Sequence, residues 1–116
     1  MLPAGSRLRV WPNKLRRRLG GSYYYALGQR AFRVGQFEKA LQLFRDSEAW
    51  VVALHGQVHP HRVGAILRQA ACLARLDRQA EACELYDRAL DIVRELGAGD
   101  TAMGKEIRDY LRDACG

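Results

Sequence analysis

From residue 22 onward the apolar residues of this chain recur at helical spacing, and nowhere do they alternate with period two over a useful length. Tyr24, Leu27, Gly28 and Ala31 share one face of a helix predicted over residues 22–34, with Ser22 as its cap. Phe37, Ala40, Leu41, Phe44, Ser47, Val51 and Leu54 mark a second helix over 37–54. A third opens at Pro60 or His61, where proline is tolerated because a first-turn N–H has no helical partner, and runs to Leu76 on Val63, Ile66, Leu67, Ala70 and Leu73. Ala82, Tyr86, Ala89, Leu90 and Val93 carry a fourth over 78–96, with Asp77 as its N-cap. Asp100 or Thr101 caps a last helix reaching about Ala114, apolar only at Ile107, Tyr110, Leu111 and Ala114. Gly35, Gly56 and Gly97 stand where helices must stop. The fold class predicted is all-α.

The pattern repeats. Gly35–Phe44 is echoed by Asp77–Tyr86, and the matching alanines give 82 − 40 = 42 residues; the terminators Gly97 and Gly56 lie 41 apart. Repetition at ~20–50 residues points to stacked units that bury a shared core. Two helix pairs are expected, repeat 1 over about 22–55 and repeat 2 over about 60–96, with a capping helix over about 101–114. Residues 1–21 are expected to precede this 22–115 body as a basic tail.

These residues resemble tetratricopeptide repeats. In that family the helix pair carries a small residue in its A helix, Gly at the turn, then Ala, an aromatic and a small residue along its B helix. The first copy supplies Gly28, Gly35, Ala40, Phe44 and Ser47, and the second Ala70, Asp77, Ala82, Tyr86 and Ala89. Asp77 thus replaces Gly, and Gln69 stands where Leu is usual. The period exceeds the standard ~34 residues. The longer form, with His59-Pro60 ahead of the second A helix, is similar to kinesin-light-chain-like repeats. Leu54-His55-Gly56, Val63-Gly64 and the helix at 107–111 also resemble the C-terminal helical region of SET–MYND proteins. The resemblance implies a right-handed α-solenoid of two helix pairs plus a capping helix, and a groove lined by A helices. Mapped by register, that groove offers Tyr25, Gln29, Phe32 and Arg33, then Arg68, Ala71 and Arg75, then Arg108 and Arg112. The family's chaperone-binding clamp uses Lys and Asn where Tyr25 and Gln29 stand, so that activity is not expected.

Charge sharpens the picture. The net charge is +6, yet residues 1–34 hold eight basic side chains and no acidic one, leaving 11 basic and 13 acidic side chains (−2) for residues 35–116. The segment 1–21 reads as a flexible basic tail, or as an Arg-rich organelle presequence, or as a contact for nucleic acid or anionic lipid. No apolar run is long enough to span a membrane. Cys72, Cys83 and Cys115 show no ligand spacing, and Cys72 and Cys83 fall on apolar faces; reduced, buried thiols and a cytoplasmic setting are expected, with an organelle as the alternative.

His55, His59 and His61 form the chain's histidine cluster and read as loop residues rather than metal ligands. Glu81, Glu84, Asp87 and Asp91, beside Arg88 and Arg94, read as a solvated helix face. No nucleophile–base pair or phosphate-cradling loop is present, so neither catalysis nor a cofactor is expected. Five arginines and two aromatics on the mapped groove suit a partner rich in carboxylates, which guanidinium grips through paired hydrogen bonds. Trp50–Leu54 is too continuous for one stripe: either it is buried under the long repeat, or it offers a sticky face for a homodimer. The functional expectation is a non-catalytic adaptor holding a protein or peptide partner, with an acidic segment as the candidate the groove suggests. The alternatives are an accessory repeat region of a larger enzyme or motor, and a basic-tail binder of nucleic acid or membrane surface.

Overall fold

A glycine pair is ambiguous in a sequence: it can end a helix, or it can let one helix come close to another. The computed structural model of the chain describes residues 13–116, with side chains from residue 20 onward, and here Gly20 and Gly21 do the second. They lie inside a first helix, α1 (Asn13–Arg33), which begins nine residues before the expected Ser22. A Cβ on Gly20 would stand 2.8 Å from the Trp50 ring, and one on Gly21 would stand 3.2 Å from Val51. The missing side chains let α1 lie directly on the end of the second helix. Ser47 Oγ donates to the Gly21 carbonyl at 2.8 Å and ties the two together. Ser22 is therefore a mid-helix residue rather than a cap, and residues 13–21 are part of α1. The rest of the expected tail, residues 1–12, lies outside the described residues.

The other helices follow the apolar pattern closely: α2 (Phe37–His55), α3 (Pro60–Arg75), α4 (Gln79–Glu95) and α5 (Ala102–Tyr110), the last continuing into a π-helical turn at Leu111–Cys115. Among the described residues there is no strand. Each helix packs chiefly on its neighbours in sequence. Ala31, Ala40, Leu41, Phe44, Ala70, Leu73 and Ala82 form the core of the first three interfaces, and Val63, Ile66, Leu90, Val93 and Ile107 that of the last two. Gly28 repeats the close approach of Gly20, since a Cβ there would meet the Phe44 ring at 2.8 Å. Trp50 and Val51 are buried. These two are consumed beneath α1, in line with the burial reading of the run, while Val52, Ala53 and Leu54 are half-buried.

The stops are backbone conformations. Gly35, Gly56 and Gly97 adopt φ of 82°, 91° and 73°. Asp77, one 42-residue period after Gly35, takes φ 62° and is the one non-glycine residue with positive φ among the described residues. It is a left-handed turn residue, not the cap of α4; that position falls to Arg78, whose side chain makes no cap bond. The expected caps hold better at α5, where Thr101 Oγ1 accepts from the Gly104 N–H at 3.4 Å.

Cys83 and Cys115 correct the expectation of reduced thiols. They are joined by a disulfide, with Cα atoms 5.9 Å apart, which fastens the π turn to α4. Beside it Tyr86 and Tyr110 stack with centroids 4.0 Å apart, and the Gln79 amide donates to the Tyr110 hydroxyl at 3.0 Å. Cys72 alone is a free, buried thiol; burial pushes it up to about 11, where it is inert.

Candidate functional site: the valley between the first and third helices

Two contacts between α1 and α3 share one sequence offset. Arg68 Nε on α3 donates to the Tyr25 hydroxyl on α1 at 3.0 Å. Arg75, two turns further along α3, lies over the Phe32 ring at 5.5 Å. Both pairs have the same offset, 68 − 25 and 75 − 32, each 43. The two helices therefore run in the same direction, in register, with a shallow valley between them. Its walls read at spacings of three and four residues: Gly21, Ser22, Tyr25, Gln29 and Phe32/Arg33 on α1, and His61, Gly64, Arg68, Ala71 and Arg75 on α3.

Tyr25 and Arg68 bridge the valley and divide it. On one side Gln29, Phe32, Arg33, Phe44 and Arg68 line a hollow of about 220 Å³. On the other, Gly21, Ser22, Tyr25, Ser47, Trp50, Val51, Leu54, His55, Pro60, His61 and Gly64 line one of about 260 Å³. Neither group includes a carboxylate. Beyond the first hollow Arg75 also reaches the Phe37 ring, at 5.6 Å, and Phe32 and Phe37 meet edge to face at 5.1 Å. Arg75 is thus held over two aromatic faces, an attraction worth about 0.5–1 kcal/mol at an exposed site.

What distinguishes the valley is that its arginines share a lining free of carboxylates. Among the described residues no carboxylate lies in ion-pair range of Arg33, Arg68 or Arg75. Among the same residues Arg30, Arg45, Arg88, Arg94 and Arg108 also have no carboxylate in ion-pair range among the described residues. Three arginines elsewhere are matched: Arg62 with Glu48 at 2.9 Å, Arg78 with Glu81 at 2.6 Å, and Arg112 with Asp113 at 2.8 Å. The hollow between α2, α3 and α4 is self-compensating as well, setting Glu48, Glu81 and Glu84 against Arg45 and Arg88. Gln69, buried there, donates to Glu48 at 2.8 Å and to the Phe44 carbonyl at 3.4 Å, which accounts for an amide where the repeat pattern has leucine.

Of the residues expected in the groove, Tyr25, Gln29, Phe32, Arg33, Arg68 and Arg75 come together, with half-buried Ala71 on the same stripe of α3. Arg108 and Arg112 are occupied elsewhere. Arg108 donates to the Gly99 carbonyl and holds the loop before α5; Arg112 is taken up by Asp109 and Asp113. No described contact joins either to the valley. Residue mapping missed Phe37 and the glycine-walled hollow, although Gly21 and Gly64 show the same 43-residue offset in the sequence.

The histidines close one end of the larger hollow. His55 and His59 stack with centroids 4.5 Å apart, and His61 tilts against His59 at 5.0 Å. His59 Nδ1 accepts from the His61 N–H at 3.1 Å and so caps α3. Burial first, then the neighbouring His55 and His61, holds His59 below the usual histidine value. Among the described residues no group of His, Cys, Asp or Glu is arranged to hold a metal, and no helix is long and apolar enough to cross a membrane.

Comparison of the chain with protein-family models, with curated proteins and with solved structures gave no match.

Proposed function

We propose that this chain is a non-catalytic protein-binding module. In this reading α1–α4 are two tetratricopeptide-like pairs of a short right-handed α-solenoid, closed by α5, and an acidic peptide segment of a partner lies along the α1/α3 valley. The observation that carries it is the set of three arginines without carboxylates, Arg33, Arg68 and Arg75, spaced along a valley with aromatic walls. Desolvating such cations against carboxylates gives charge-assisted hydrogen bonds roughly twice as strong as neutral ones. The hollow between α2, α3 and α4, where three glutamates stand beside two arginines, offers an acidic partner much less.

The compartment is reopened by the disulfide. A cytoplasmic setting rested on reduced cysteines, and a bond such as Cys83–Cys115 is typical of oxidising compartments.

An array of Glu/Asp-rich peptides with scrambled and basic controls tests the reading. Acidic peptides should be retained by the full chain and lost, by about tenfold or more, in Arg68→Glu/Arg75→Glu. Equal retention of basic controls, or undiminished binding by the double variant, would overturn it.

A further inference from the structure

The hollow on the histidine side of the Tyr25–Arg68 bridge is different in kind from the charged half of the valley. Its floor is apolar, made by Trp50, Val51 and Leu54, and its walls are opened by two glycines, Gly21 on α1 and Gly64 on α3. Gly64 has no structural reason to be glycine: its φ is ordinary for a helix, and a Cβ there would meet nothing within 4 Å. A helix-interior glycine costs about 1 kcal/mol relative to alanine. Its effect is to leave space. At about 260 Å³ that space lies below the ~300–1,000 Å³ typical of drug-sized ligand pockets, and it suits one bulky side chain.

Resting on the peptide-binding reading above, we infer that this hollow is an anchor pocket for an aromatic side chain, and that the partner segment carries carboxylates at fixed distances from that anchor. The distances follow from α3. Gly64 to Arg68 is four residues, about 6 Å at 1.5 Å rise, and Gly64 to Arg75 is eleven residues, about 16 Å. An extended peptide advances about 3.3 Å per residue, so carboxylates about two and five residues from the aromatic would meet Arg68 and Arg75. Charge complementarity selects this occupant: no carboxylate lines the hollow, the bridge beyond it is a guanidinium, and the two arginines continue the line. A wholly apolar segment would desolvate Arg68 and Arg75 without supplying an anion, at a cost.

The probes are short fluorescein-labelled peptides with Phe as anchor and Glu two and five residues on, one in each chain direction, each paired with its Phe→Ala version. Anisotropy titrations are run on the full chain and on Gly64→Phe, which fills the hollow from an open helix face, with Ser22→Phe filling it from the opposite wall as a second block. The Phe peptide is expected to bind the native chain at least about tenfold more tightly than its Ala version in the better direction. That preference should vanish in Gly64→Phe and Ser22→Phe while melting temperature is kept. Equal binding of Phe and Ala peptides that still depends on Arg68 and Arg75 would overturn the anchor pocket and leave the acidic-peptide reading standing. A Phe preference that persists in both filled variants also overturns it. Failure of every acidic peptide to bind the native chain would overturn both.

Discussion

Glycine has three separate uses in this chain, and three substitutions tell them apart. Gly28 lies against the Phe44 ring, where a Cβ would come within 2.8 Å. Gly28→Ala is therefore expected to destabilise the fold, by about 1–3 kcal/mol as over-packing does. Gly64 faces open space, and Gly64→Ala should stabilise it by roughly 0.5–1 kcal/mol through helix propensity alone. Asp77 occupies at φ 62° the conformation that Gly35 holds in the first repeat. Asp77→Gly should relieve that strain and raise stability by up to about 1 kcal/mol. Urea unfolding of the three variants checks the signs; a destabilised Gly64→Ala or a neutral Gly28→Ala would contradict the packing described.

Among the elements, the start of α3 carries a pH dependence whose direction can be worked out. His59 Nδ1 accepts the His61 N–H, so protonation at that nitrogen removes the cap. Burial and the neighbouring histidines hold His59 below its ordinary value of 6.5. The unfolded chain therefore binds the proton more readily than the folded one. The stability His59 contributes is complete above that ordinary value and is lost as pH falls through the lower folded value. Melting temperature should drop between pH 7.5 and pH 5, and His59→Asn, which caps without titrating, should flatten that part of the profile. The helices α2 to α5 were legible in the sequence because their apolar stripes sit at regular spacing, and α2 to α4 also end at residues with left-handed backbone. The start of α1 was not: Gly20-Gly21 carries no sign of whether it bends the chain or admits Trp50. The Cys83–Cys115 pair was equally hidden, since 32 residues separate the two and no local motif joins them. Within the valley, Tyr25, Arg68 and Arg75 were legible through the repeat period; the duties of Arg108 and Arg112 were not, because the acceptors Gly99, Asp109 and Asp113 depend on how α5 and its π turn are placed.

For the molecule as a whole, the disulfide joins residues 32 apart in sequence and closes a loop that takes in most of α4 and all of α5. Such a link contributes about 2–4 kcal/mol, largely by restricting the unfolded chain. Cys115→Ser, or reduction of the native chain, should lower the urea midpoint accordingly. Thiol titration gives a sharper reading. With two of the three cysteines bonded and Cys72 buried, the native protein should show no reactive thiol; urea without reductant should reveal one, and urea after reduction three. Three thiols in urea without reductant would show that the bond does not form.

At the same scale the molecule divides its charge between a hollow lined by both carboxylates and arginines and a valley lined by arginines without carboxylates. The most direct test of that division is a backbone-amide NMR titration of the isotopically labelled chain with an acidic peptide. Shifts are expected along α1 and α3, at Tyr25, Gln29, Arg33, Arg68, Ala71 and Arg75, with Arg45, Glu84 and Arg88 unmoved. Shifts confined to α4 and α5, or a spectrum unchanged at saturating peptide, would contradict the valley as the binding surface.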